Sequence, residues 1–327
     1  MLSRPTLNLR IAAALAAFAV AFAFPAPGNA NPRELRIDFA TYNPLSLVLR
    51  ERKLLEAEFE KDGIAIRWVQ THGSNKALEF LSAGSIDFGS TAGAAALVGR
   101  INGNPIKSVY VYSRPEWTAL VTRKDTGITQ IADLRGKRVA VTRGTDPHIF
   151  LVRALASAGL TDRDVKFVLL QHADGRLALE RGDVDAWAGL DPMMAAAEID
   201  SGAVLFYRNA AANTWGILNV REEFAKAHPD LVKRVLAVYE DARKWALANP
   251  GDLKKIFASF TKLPEAVVER QLATRTDLTH GPIGAAQAET ILAAGLALQD
   301  AGVIDKSVDV KAAVDALIDP TFLAAAR

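Results

Sequence analysis

From Leu35 onward the chain alternates short β-branched or aromatic runs with helix-length amphipathic ones. That alternation confines it to an α/β architecture with largely parallel sheets. Residues 35–40, 64–69, 86–88, 138–142, 166–170 and 184–188 read as strands, and Val109, Val111 and residues 117–122 are strand-like. Residues 45–60, 75–82, 92–101, 147–158, 173–180 and 192–199 read as the helices between them. An internal repeat sharpens the pattern, because residues 77–88 align with residues 175–186. Each copy is a helix ending at a Gly (84 or 182), then Ile or Val and an Asp entering a short strand. The Gly sits where a left-handed C-cap is needed. Two similar α/β lobes follow, around residues 35–115 and 120–210.

The C-terminal third changes character. Residues 229–248, 253–260, 264–273, 284–301 and 310–318 read as helices, with Pro229, Pro264, Pro320 and Gly251 at their edges. One reading is a separate helical domain. The other returns the chain along residues 215–219 and packs these helices on the first lobe. Crossings near residues 113–120 and 213–220 would then form a two-strand hinge. A length of 327 residues also favours two domains over a single core.

The first thirty residues are expected to play no part in the fold. Arg4 and Arg10 precede an uninterrupted apolar run over residues 11–24, which Pro25, Pro27 and Gly28 break. Gly28 and Ala30 supply small residues at the −3 and −1 positions of a cleavage site. This reads as a signal peptide of residues 1–30, cleaved after Ala30, and its apolar run falls short of the roughly 20 residues that span a bilayer. Without it the chain carries 37 Lys and Arg against 37 Asp and Glu, so no basic field gathers nucleic acid. The chain has no cysteine, which removes thiol catalysis, Cys-ligated zinc, iron–sulfur clusters and a lipid anchor at the cleavage site.

Catalytic constellations are missing. His72, His148, His172, His228 and His280 include no pair at helical spacing, and no metalloprotease, nucleophile-elbow or phosphate-loop motif occurs. His148 has no serine nucleophile placed beside it. Asp162/Asp164 and Asp183/Asp185 fit turn chemistry. No catalytic residue, metal or cofactor is expected.

What recurs is a helix start preceded by Gly or a small capping residue. The four instances are His72-Gly73-Ser74-Asn75, Gly89-Ser90-Thr91-Ala92-Gly93, Arg143-Gly144-Thr145-Asp146-Pro147 and Leu190-Asp191-Pro192. Each follows an expected strand, at the sheet end where open α/β sheets bind ligands. Helix N-termini present unpaired N–H donors and about half a positive charge, so two or three meeting in one cleft would hold an anion. In the third segment Gly144 lets the backbone approach a ligand, Thr145 adds a hydroxyl and His148 follows as a candidate contact. Of the aromatics, Tyr42 follows the first strand, Trp187 lies in the repeat, and Trp117 and Trp215 fall at the two crossings, where a cleft would be.

These segments resemble the periplasmic substrate-binding proteins of ABC importers, in the nitrate/sulfonate/taurine group and especially the aliphatic-sulfonate-binding proteins. The resemblance is carried by Gly84-Ser85-Ile86-Asp87-Phe88-Gly89, by residues 131–141 with Arg143-Gly144-Thr145, by Gly182-Asp183-Val184-Asp185-Ala186-Trp187 with Asp191-Pro192, and by Arg221-Glu222-Glu223-Phe224 with His228-Pro229. It implies a type II, two-lobed binding-protein fold: two mixed sheets flanked by helices and joined by a two-strand hinge. The first lobe would comprise residues 31–117 and 218–327, the second residues 118–217. It also implies an exported, periplasmic monomer that delivers a small organic anion to a permease with its ATPase. The family's ligand contacts fall at Tyr42, Asn43, Ser74, Thr91, Ala92, Gly144, Thr145 and Asp191, with Trp215 lining the mouth. This chain departs at Asp146, where similar proteins often carry Ser or Asn, and at Gly189-Leu190, where they carry a second aromatic.

A sulfonate only accepts hydrogen bonds, so its shell should consist of donors. Asp146 is therefore expected to turn its carboxylate away and cap its own helix, and Asp191 to do the same or meet a cationic ligand tail. A carboxylate against the tetrahedral group would favour a protonated, phosphonate-like ligand instead. Rival readings are a nitrate, bicarbonate or thiamine-precursor binding protein, a ligand-binding sensor, and an enzyme akin to the pyrimidine-forming synthases of thiamine biosynthesis. Those synthases depend on a cysteine-rich motif that this chain lacks.

Overall fold

The strand-like runs assemble into two separate sheets. The computed structural model describes residues 32–324, and the expected signal peptide lies outside them. In chain order the strands are β1 (Glu34–Phe39), β2 (Ala65–Gln70), β3 (Phe88–Ala92), β4 (Ile106–Pro115), β5 (Thr118–Thr122), β6 (Arg138–Val141), β7 (Lys166–Leu169), β8 (Ala186–Leu190), β9 (Val204–Tyr207), β10 (Gly216–Arg221) and β11 (Thr276–Asp277). One sheet has the order β11-β4-β10-β3-β1-β2 and the other β9-β5-β8-β6-β7. Within them β1 runs parallel to β2 and β3, and β6 runs parallel to β7 and β8. The antiparallel strand is β10 in the first sheet, between β3 and β4, and β5 in the second, between β8 and β9. Each of these has just arrived from the other lobe. The lobes thus share one topology and exchange one strand each, through the crossings β4–β5 and β9–β10.

The repeat has a physical basis. Gly84 and Gly182 both adopt left-handed φ, +65° and +81°, which other residues reach only with strain. In the first lobe Asp87 accepts from the Arg36 backbone N–H at 3.0 Å and from its guanidinium, while Arg36 also donates to the Gly84 carbonyl. In the second lobe Asp185 accepts from the Arg138 N–H at 2.7 Å, and Arg138 donates to the Gly182 carbonyl. Each Asp therefore pins β1 or β6 beside the strand that follows the repeat, β3 or β8.

The C-terminal helices, Pro229–Ala248, Pro250–Thr261, Glu265–Thr274, Ala285–Asp300 and Val310–Leu317, form no domain of their own. Val232, Leu236, Tyr239, Phe257, Ile291, Leu298 and Val314 share one buried core with Leu35, Ile37, Phe88 and Val109. Three expectations are corrected. Residues 45–60 form two helices, Pro44–Glu51 and Leu54–Phe59, broken where Lys53 is left-handed at φ 53°; the break keeps Leu45, Leu49, Leu55 and Phe59 in that one core. The third strand runs over Phe88–Ala92, later than expected, because all five of its residues are buried and Ser90 and Thr91 bond to side chains from neighbouring strands. β9 and β11 went unpredicted, both lying at sheet edges.

Asp87 and Asp185 should differ in weight. The Asp87 side chain is 2 % exposed and also holds Arg221, whereas Asp185 is 27 % exposed. Asp87→Ala should lower unfolding free energy by about 3 kcal/mol and Asp185→Ala by about 1 kcal/mol, measured by urea denaturation. Equal losses would contradict this account.

Candidate functional site

Where the two sheets face each other, Tyr42, Gly73, Ser74, Trp117, Thr145, Asp146, Pro147, His172 and Leu190 line a cavity of about 10 Å³. That is room for about one water, so the lobes lie closed on each other. A larger and more open depression, about 430 Å³, runs beside Glu198, Arg208 and Arg270. Of its charged groups, Glu198 is paired with Arg270 and Arg275, and Arg208 with Glu116.

The cavity residues include the first residue of each of three helices: Ser74–Ser82 after β2, Asp146–Ser157 after β6 and His172–Arg181 after β7. The first belongs to one lobe and the other two belong to its counterpart. Among the described residues nothing accepts a hydrogen bond from the backbone N–H of Ser74, Asn75, Asp146, His172 or Ala173. Ser74 Oγ accepts from the Ala92 N–H at 3.0 Å and keeps its own proton to donate. Among the described residues no Lys or Arg lines the cavity. The arrangement suits an anion held by amides and a hydroxyl at three positive helix ends.

The other two expected helix starts are consumed internally. Gly93 N–H donates to the Trp215 carbonyl at 3.0 Å and Ala94 N–H to Thr214 Oγ1 at 3.0 Å. Asp191 accepts from Ala195 N–H at 2.9 Å, capping its own helix, and from Arg275 at 3.1 Å; it meets a protein cation, and burial pushes its carboxyl up to about 6.

The remaining candidates divide by location. Tyr42, Ser74, Trp117 and Thr145 line the cavity. The Tyr42 hydroxyl is tied back to Thr71 Oγ1 at 2.9 Å, and Thr145 Oγ1 donates to the Thr142 carbonyl at 2.7 Å, so its hydroxyl is not the free donor expected. Asn43 caps the helix Pro44–Glu51 and donates to Ser90 Oγ. Thr91 accepts from Asn219 within the first sheet, and Ala92 is the residue whose N–H meets Ser74. Gly144, left-handed at φ +78°, lies at the seam opposite Asn75, where a Cβ added to the glycine would stand 3.6 Å from Asn75 Cβ. His148 packs edge-on to Phe167, and burial pulls its pKa down to about 4. Trp215 packs with Val111, Ile217 and Ile283 and touches His280, away from the cavity.

Asp146 corrects its expectation. Its carboxylate leaves its own helix uncapped and accepts from Trp117 Nε1 at 2.9 Å, Thr214 N–H at 3.1 Å and Thr214 Oγ1 at 2.6 Å. Burial pushes its carboxyl above the usual range, and these three donors oppose the shift. Gly73, Pro147 and Leu190 lie in the expected helix-start segments without having been named as contacts, and His172 was missed. His172 is 2 % exposed, with Nδ1 3.2 Å from Thr142 Oγ1 and Nε2 buried without a partner. Nothing in the sequence separated this histidine from the other four.

Two substitutions separate the hydrogen bonds of Asp146 to the crossings from the cavity. Asp146→Ala leaves the Trp117 and Thr214 donors unpaired and should cost about 2–4 kcal/mol in denaturant unfolding. At Gly73 the extended backbone (φ 161°) admits any residue, but a Cβ would lie 2.8 Å from Asn75 Oδ1 and 3.1 Å from His172 Nε2. Gly73→Ala should therefore weaken anion binding about tenfold or more in calorimetry while stability stays within about 1 kcal/mol of the native value.

Known proteins share this fold. The alkanesulfonate-binding protein SsuA of Xanthomonas axonopodis pv. citri, solved bound to MOPS, superposes with a TM-score of 0.78 at 29% identity, over 87% of this chain and 98% of that one. The taurine-binding periplasmic protein of Escherichia coli (strain K12) is 29% identical over 62% of this chain and 64% of its own length. A shorter match, 27% identical over 41% of this chain and 39% of the relative, is to the 4-amino-5-hydroxymethyl-2-methylpyrimidine phosphate synthase of Uromyces fabae. Residues 59–252 match the family described as NMT1/THI5 like, and the chain belongs to that family.

Proposed function

We propose that this protein is the solute-binding component of an ABC importer and that it captures a small organic sulfonate between its lobes. The observation that carries the reading is the set of open amides at three helix starts, contributed by both lobes to one cavity. A sulfonate's three oxygens each accept, and a shell of N–H groups meets them without burying a lysine or arginine. The alkanesulfonate-binding and taurine-binding relatives support this ligand class. On this reading Ser74, Asp146 and His172 contribute backbone donors, Ser74 adds its hydroxyl, and Tyr42 and Trp117 wall the site. The lobes divide as residues 31–117 with 218–327, and 118–217. The mature protein is a periplasmic monomer, cut after Ala30, that hands its ligand to a permease and ATPase and performs no chemistry on it.

A thermal-shift and calorimetry series with ethanesulfonate, taurine, sulfate, nitrate and bicarbonate tests the ligand class. A sulfonate at about 100 times its Kd should stabilise the protein by about 2.7 kcal/mol and quench or enhance Trp117 emission. A response to nitrate or bicarbonate alone would replace the sulfonate reading.

A further inference from the structure

We infer that His172 makes this site selective for anions that also carry a hydrogen-bond donor, because its Nε2 is a buried acceptor facing Gly73 across the seam between the lobes. The inference rests on the cleft being an anion site and adds what stands next to the anionic head.

The tautomer follows from one hydroxyl proton. Thr142 Oγ1 donates to the Leu170 carbonyl at 2.7 Å, and a carbonyl can only accept. A threonine hydroxyl has a single proton, so its 3.2 Å contact with His172 Nδ1 requires Nδ1–H to be the donor. A neutral imidazole protonated at Nδ1 carries a bare lone pair at Nε2. Burial keeps the ring neutral, pulling its pKa down to about 3, and no charged neighbour contributes to that shift.

The surroundings agree with an acceptor. A Cβ on Gly73 would lie 3.1 Å from Nε2 and 2.8 Å from Asn75 Oδ1, a second buried acceptor without a partner. The charged side chain lining the cavity is Asp146, whose carboxylate is taken up by Trp117 and Thr214. A sulfonate oxygen placed against Nε2 would set acceptor against acceptor. An ammonium or hydroxyl placed there would satisfy a group that is otherwise buried and unpaired. The anionic head then belongs at the open amides, and the ligand's donor belongs at His172.

The test compares taurine and isethionate with propanesulfonate, in which a methyl group replaces the donor, by calorimetry on the mature protein. The native protein should prefer the two donor-bearing ligands by about tenfold or more, and His172→Phe should bring all three within about threefold. Affinity for taurine should stay level from about pH 5 to 8, where the ring is neutral. Equal affinity for propanesulfonate, a preference that survives His172→Phe, or propanesulfonate affinity rising about tenfold per unit fall in pH, as an imidazolium donor requires, would each overturn the inference. If His172→Phe fails to fold, ring-nitrogen NMR of the native protein decides: a pyridine-like Nε2 supports the assignment and a pyrrole-like one overturns it. If no sulfonate binds, β-alanine and butanoate repeat the comparison. A donor preference within that pair keeps the role of His172 and rejects only the sulfonate reading, whereas no binding of either pair rejects both.

Discussion

One buried carboxylate sets the geometry on which the cleft depends. Asp146 opens the helix Asp146–Ser157 in the second lobe, yet its oxygens are spent on Trp117 in the first crossing and Thr214 in the second. Thr214 Oγ1 in turn accepts from Ala94 N–H at the start of a first-lobe helix. A single chain of hydrogen bonds therefore runs from one lobe, through both crossings, into the other. Leaving a carboxylate in this position without partners would cost several kcal/mol, and three donors offset that cost while fixing where the helix begins. With the side chain committed to the hinge, the backbone N–H at the same residue remains for the cavity.

The exchange of strands explains why matching helix starts face each other. β10 and β5 occupy the same antiparallel place in their sheets, each arriving from the opposite lobe. The helix after β2 and the helix after β7 are then counterparts, and their starts meet at Gly73 and His172. The same symmetry fails to make the four expected starts equal. Those after β3 and β8 are closed by Thr214, Trp215 and Asp191, which sit at or beside the crossings. The hinge fills the helix starts after β3 and β8 with protein partners, whereas at Asp146 it takes up the side chain and leaves the amide open.

The α/β alternation, the repeat and the C-terminal helices could be read from periodicity and from the Gly and Pro positions, because these are local signals, whereas the return of the chain through the crossings, a non-local feature, stood as one of two readings. What local signals could not rank was use. Thr91 and Asn43 look like caps and ligand donors in sequence, but Asn219, Ser90 and Tyr239 reach them from strands and helices far along the chain. Asp191 looks available until Arg275, distant in sequence and 4 % exposed, is folded against it. His172 was hidden for the converse reason. Its importance lies in lacking a partner, and a sequence does not display an unmet hydrogen bond.

The distribution of polar links between the lobes also describes how the cleft can work. Asp146 and the Arg275 contacts to Asp191 and Glu198 join the lobes beside the crossings. Among the described residues, no hydrogen bond or ion pair joins the helix Ser74–Ser82 to the helices Asp146–Ser157 or His172–Arg181. The seam over the cavity is closed by apolar and van der Waals contacts, among them Gly73 with His172, Gly144 with Asn75, and Ile149 and Val152 with the first-lobe core. Parting it breaks no polar bond between these helices while the polar links on the hinge side stay intact, and its cost is the exposure of apolar side chains such as Ile149 and Val152. A ligand that accepts from amides of both lobes then supplies the missing cross-link, and its binding energy differs between the open and closed forms by those bonds.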